Sequence, residues 1–116
     1  MIIVTARILF ESQAHRDRAV EASTPVQVAT RTEESGCLMY CFAPDPVVPT
    51  EIQVFELWTD ADSLAAHFSH PNYMKMASAL ASGGGFLQSI NRQYKADDRG
   101  SVYDERGKPR SDALKE

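Results

Sequence analysis

Between Glu56 and Tyr73 the chain reads ELWTDADSLAAHFSHPNY, and this stretch carries three carboxylates, the single tryptophan, two of the three histidines and a tyrosine. These residue types suit acid–base chemistry on a small molecule. An imidazole in water titrates at about pH 6.5, so His67 can take a phenolic proton at neutral pH. Trp58 offers a flat apolar wall with one N–H to orient a carbonyl, and Tyr73 can hydrogen-bond a substrate oxygen, with Asn72 beside it. His70, directly before Pro71, reads as a cap or turn residue. Two further charges are informative. Arg7 and Glu56 lie on strands that are neighbours in the expected sheet, where they either pair with each other or face a cavity; there Arg7 would stabilise a developing oxyanion and Glu56 would set the local charge. Ser89 and Asn91, on alternate positions of a later strand, add polar lining. Each residue has a structural reading as well: a histidine bonded to a backbone carbonyl, a tryptophan filling the core, an ion pair holding a sheet.

Positioning these groups requires strands and helices, and the hydrophobic pattern supplies both. Residues 2 to 10 alternate, with Ile2, Val4, Ala6, Ile8 and Phe10 on one face and Ile3, Thr5, Arg7 and Leu9 on the other. Ser12 is a helix N-cap, and Ala19, Ala22, Val26 and Ala29 recur at helical spacing on the way to about Glu34, where Gly36 stops the helix. Pro25 removes the bond to the carbonyl of Glu21, so a kink or break is expected between residues 21 and 25. CLMYCFA, residues 37 to 43, reads as a strand buried on both faces, with Leu38, Tyr40 and Phe42 opposite Cys37, Met39 and Cys41. The proline-rich PDPVVPT is a loop, and EIQVFELW, residues 51 to 58, is a third strand. A helix capped by Asp60 or Asp62 follows, broken near His70 by Pro71, which opens another helix reaching about Ser82. After Gly83, Gly84 and Gly85, FLQSINRQY at residues 86 to 94 forms the last strand. The glycine triplet follows a helix and lacks the lysine of a phosphate loop.

The order strand, helix, strand, strand, helix, strand is the split βαβ pattern, an α+β ferredoxin-like βαββαβ fold in which two helices cover one face of a four-stranded antiparallel sheet. Apolar residues on the other face call for a partner, and a second copy of the chain is the simplest one. The expected domain spans residues 1 to 95. Residues 96 to 116 form a charged C-terminal tail, disordered or docked on the partner subunit.

Composition narrows the function classes. A chain of 116 residues, 43% hydrophobic and 24% charged, accommodates one domain with a core. A net charge of −4 gives no footprint for nucleic acid. No apolar run approaches the roughly 20 residues of a membrane span, and the N-terminus lacks the basic region and cleavage site of a signal peptide, so no membrane partner is expected and the cytoplasm is the expected compartment. Cys37 and Cys41, about 13 Å apart along a strand, are too distant for a disulfide and supply no zinc pattern, so no metal site is expected.

Three blocks carry a family resemblance: Gly36-Cys37-x-x-Tyr40, Glu56-x-Trp58, and Ala66-His67-x-x-x-Pro71-Asn72-Tyr73. With the element order, they make residues 1 to about 95 similar to the antibiotic biosynthesis monooxygenase (ABM) domains. The resemblance implies a dimeric α+β barrel and an oxygenase of an aromatic polyketide or quinol-type substrate that works without cofactor or metal. His67 would be the base and Arg7 the charge-stabilising group, with Trp58, Tyr73, Glu56 and Asn91 holding the substrate. The family also contains an isomerase of a phosphorylated sugar and members without assigned activity, which leaves an isomerase of a small hydroxy-ketone or sugar phosphate, or a non-catalytic small-molecule-binding domain, as alternatives. Haem-degrading relatives match less well: this chain has Arg7 where they carry an asparagine, the position of their axial histidine falls near Ala77, and their haem-ruffling tryptophan falls on His67.

Overall fold

The computed structural model describes residues 1–115. Its elements are β1 (Ile2–Leu9), α1 (Gln13–Glu33), β2 (Cys37–Pro44), β3 (Glu51–Trp58), α2 (Ala61–Ser69), α3 (Pro71–Ala81) and β4 (Gln88–Lys95), followed by a short 3-10 turn at Asp112–Leu114. The strands form one antiparallel sheet in the order β2-β3-β1-β4. This is the ferredoxin-like arrangement, with the covering layer in three helices because Pro71 divides the second.

Alternation along the strands decides what each residue meets. Ile8, Ile52, Val54, Tyr40 and Phe42 point to the helix side and pack with Leu64, Met76 and Leu80. Helix α1 lies across β2, one edge of the sheet, where the Gln27 amide accepts from the N–H of Phe42 at 2.9 Å and donates to its carbonyl at 3.0 Å. A side chain thus takes the place of a neighbouring strand, leaving fewer unpaired backbone groups on that edge. The helices pack on β2 and β3 and leave the helix-side face of β4 open.

Helix ends follow their local chemistry. The Ser12 hydroxyl accepts from the His15 N–H at 3.1 Å, and the Asp60 carboxylate accepts from the Ser63 N–H at 2.8 Å. His70, with extended backbone between α2 and α3, caps α3 by accepting from the Asn72 N–H at 3.1 Å. That is the cap role its place before Pro71 implies.

Three expectations change. Helix α1 runs unbroken through Pro25, because the bond it removes leaves the carbonyl of Glu21, an exposed residue that water can serve. The face of β2 that turns away from the helices is not buried within one chain: Met39 stays half exposed. An irregularity between Cys37 and Met39 also flips the strand start. Cys37 pairs with Trp58 and packs on the core with Tyr40, while Leu38 is displaced outward.

The tail carries local order. Tyr103 bridges Pro109, the Arg110 N–H donates to the Val102 carbonyl at 2.7 Å, and the Asp104 carboxylate accepts from the N–H groups of Arg106 and Lys108, making a small hairpin. Val102 and Tyr103 remain exposed on it. Glu116, the last residue of the tail, lies outside the described residues.

Candidate active site

The open side of the helix layer leaves a cavity of about 720 Å³ between α3 and strands β1 and β4. Its floor is the helix-facing row of the sheet, including Val4, Ala6, Val54 and Glu56; Met76, Ala77 and Leu80 form the roof, and Ser89, Asn91 and Gln93 the rim. His67, Tyr40 and Tyr73 close one end.

His67 reaches this end through a chain of close contacts. Gly36 sits so near the start of α2 that a Cβ there would lie 2.2 Å from the Ser63 Oγ, and its carbonyl accepts from the Thr59 N–H at 2.9 Å. The end of α1 is therefore locked to the start of α2. Across that lock Glu34 meets His67, with Oε1 2.8 Å from Nδ1. A carboxylate oxygen accepts, so with Nδ1 donating to Glu34 the ring nitrogen left for the cavity is Nε2. Among the described residues Nε2 has no hydrogen-bond partner. The Asn72 amide, fully buried, fixes the carboxylates by donating to Glu34 at 3.2 Å and to Glu33 at 3.1 Å.

Aromatic rings hold the imidazole in place. Trp58 lies against it with centroids 4.6 Å apart, and Tyr40 and Tyr73 approach edge-on, each at 5.6 Å. The Trp58 indole N–H donates to Glu56 Oε1 at 3.0 Å. Burial pushes the Glu56 carboxyl up to about 7, reinforced by the charge of Glu34 and opposed by the indole bond. Burial likewise raises the Tyr40 hydroxyl, with Glu56 and Glu34 adding to it, so Tyr40 stays protonated. The Cys37 thiol is pushed up to about 11 by burial and then by Glu34 and Glu56, which makes it a poor nucleophile at neutral pH.

The sequence candidates divide accordingly. His67, Glu56, Tyr73 and Asn91 line one cavity, and Ser89 with them. Trp58 is wholly buried and lies outside the cavity wall; it acts on the site through His67 and Glu56. Arg7 is on the opposite sheet face. The register sets Val4 beside Glu56 and Arg7 beside Gln53, three residues further along β1 and of opposite parity, so an Arg7–Glu56 pair does not form; Arg7 binds Glu51 instead, and Glu51 and Asp45 strengthen its positive charge. Glu34 and Tyr40 were not among the candidates. Glu34 had left a trace: two glutamates ending a helix oppose its dipole, a local conflict that marks a site stabilised by something else. Among the described residues no three His, Cys, Asp or Glu side chains converge to hold a metal ion.

The model of one protein family, antibiotic biosynthesis monooxygenase, matches residues 1–79. The chain belongs to that family. Solved structures with the same fold include a provisionally named antibiotic biosynthesis monooxygenase of Deinococcus radiodurans (TM-score 0.76, 21% identity, covering 90% of this chain and all of that one). A protein of Mycobacterium tuberculosis follows at TM-score 0.70 and 20% identity, covering 86% and 98%. A provisionally named monooxygenase of Caulobacter crescentus follows at 0.71 and 17%, covering 84% and 91%. At these identities the likeness is one of fold. No curated protein sequence matches the chain significantly. Among the described residues of this ABM domain no helix is long and apolar enough to cross a membrane.

Proposed function

We propose that this ABM domain is a cofactor-independent monooxygenase of an aromatic polyketide or quinol-type substrate. The observation that carries the reading is the buried His67–Glu34 pair, which aims a free imidazole nitrogen into a largely apolar cavity large enough for fused rings. Glu34 holds the tautomer and stabilises the imidazolium that forms when His67 Nε2 takes a substrate proton, the hydroxyl proton of a quinol or a methylene proton of an anthrone. The resulting anion is electron-rich enough to react with dioxygen. For an anthrone, one oxygen atom becomes the new carbonyl at the methylene carbon, and the other leaves as water with the two methylene hydrogens, so no external reductant is required. The apolar roof of Met76, Ala77 and Leu80 keeps water from the intermediate. A ring-shaped ligand suits these walls better than a sugar phosphate.

The working unit in this reading is a homodimer. Ile90, Tyr94 and Met39 are exposed on the outer sheet face, beside the partly buried Ile3, Phe55 and Leu57, an apolar surface interrupted by Thr5, Arg7 and Arg92 and suited to the same face of a second copy. Oxygen uptake with a panel of anthrones and hydroquinones tests the function. His67→Ala is expected to lower the rate by about 10² to 10⁴-fold, as for loss of a general base. Product formed at full rate under strict anaerobiosis, or activity untouched by His67→Ala, would refute it.

A further inference from the structure

Glu56 sits where a carboxylate is hard to keep. On β3 it pairs with Val4 on one side and Tyr40 on the other, in the middle of the apolar cavity floor, and it is only 8% exposed. Its Oε1 accepts from the Trp58 indole; Oε2 has no protein partner among the described residues. The groups facing it from the surrounding elements supply no cation. Glu34, from the end of α1, is itself acidic and is committed to His67 and Asn72. Cys37 and Tyr40 on β2 hold their protons. His67 on α2 has its Nδ1 turned to Glu34, and Tyr73 on α3 contributes a hydroxyl. Arg92 of β4 borders the cavity, but it pairs with Thr5 and has the parity of Ile90 and Tyr94 on the outer sheet face, and its guanidinium donates to the Asn91 carbonyl at 3.2 Å. An anion in this place would have one neutral donor and no counter-charge, so the carboxyl is more stable as the neutral acid. With Oε1 occupied as the acceptor, the acidic hydrogen belongs on Oε2, the oxygen without a protein partner.

We propose that Glu56 serves as a neutral carboxylic-acid donor, its Oε2–H directed to the carbonyl oxygen of a ligand whose hydroxyl faces His67. The ligand class is thereby narrowed to uncharged aromatic molecules with a hydroxyl conjugated to a carbonyl, such as hydroxyanthrones and hydroxyquinones. This rests on the cavity being the substrate site, as the proposed function holds. When His67 removes the hydroxyl proton, negative charge moves onto the carbonyl oxygen, where the Glu56 hydrogen bond strengthens; no proton need pass to it. The two residues thus act at opposite ends of one conjugated system, base at one and donor at the other.

Trp58 is the chain's single tryptophan and bonds to Glu56, so its emission reports the carboxyl without any ligand. In the full chain, titration of Trp58 emission is expected to show a transition near neutral pH that Glu56→Gln abolishes and His67→Gln leaves in place. A transition that survives Glu56→Gln and vanishes in His67→Gln belongs to the imidazole and overturns the proposal. The wild-type infrared spectrum needs no variant: a protonated-carboxyl band present at about pH 6 and lost by about pH 8 is expected, and its absence at the lower pH overturns the proposal. The ligand arm uses 1,8-dihydroxyanthraquinone, which is stable in air. Wild-type affinity is expected to fall about tenfold between about pH 6 and pH 8, while Glu56→Gln, which retains an N–H donor, keeps its affinity throughout. No binding at any pH, or an equal fall in the variant, overturns the donor role. Failure of the monooxygenase reading looks different: these titrations would hold, yet no oxygen would be consumed.

Discussion

Replacing Glu56 by glutamine isolates the energetic consequence of burying this carboxyl. Glutamine keeps the size and an oxygen to accept the Trp58 N–H, and removes only the ability to ionise. The folded-state carboxyl is raised from its ordinary 4.5 to about 7 by burial. Between those two values the native state holds a proton that the unfolded chain has released, so native binds more protons than unfolded and stability falls as pH rises. At 1.36 kcal/mol per pK unit, the loss between about pH 5 and pH 8 is about 2 to 3 kcal/mol. The stabilisation is fully present below the unfolded value and gone above the folded one. Urea denaturation followed by circular dichroism, at fixed protein concentration so that any dimer contributes equally, gives the difference between the two proteins at each pH. The variant is expected to gain about 2 to 3 kcal/mol on the wild type from the lower pH to the higher. A difference that stays constant within about 0.5 kcal/mol would show that Glu56 is already ionised in the native protein, and the reasoning from burial would fail.

Other perturbations probe the supports of the site. Gly36→Ala places a methyl against Ser63, where both Oγ and Cβ lie too close for a rotamer change to relieve it; a loss of about 1 to 3 kcal/mol is expected in thermal or urea unfolding, together with weaker ligand binding as α2 shifts. Asn72→Ala leaves Glu33 and Glu34 without their buried donor and is expected to cost about 2 kcal/mol, with a larger drop in kcat than Tyr73→Phe produces. Glu34→Gln lets Nδ1 of His67 become an acceptor and is expected to alter the acidic limb of the kcat/KM profile while ground-state affinity for 1,8-dihydroxyanthraquinone persists; an unchanged profile would remove Glu34 from the mechanism. Arg7→Ala, on the other face of the sheet, is expected to leave the rate with a given substrate unchanged, measured at concentrations where sedimentation velocity shows the same assembly as wild type.

Much of this protein was legible in its sequence because local chemistry was strong. Strand alternation, the caps at Ser12 and Asp60, and Pro71 after His70 mark elements whose spans the structure reproduces closely, and the Glu56-x-Trp58 and Ala66-His67 blocks indicate the family. Those signals act over a few residues, so no tertiary information is needed to read them. No break forms at Pro25 because its helix lies where water can serve the freed carbonyl, a fact of exposure that sequence order does not carry. Cys37 changed faces because a single irregularity reverses the parity of a strand start. Register alone separated Arg7 from Glu56, and long-range packing brought Glu34 to His67 across 33 positions. The sequence by itself determined which groups were available to the site. Only the tertiary structure decided that Trp58 lies behind the imidazole and outside the cavity, and that Glu56 sits on an apolar floor without a cation, because burial and pairing belong to the packed molecule and to no residue alone.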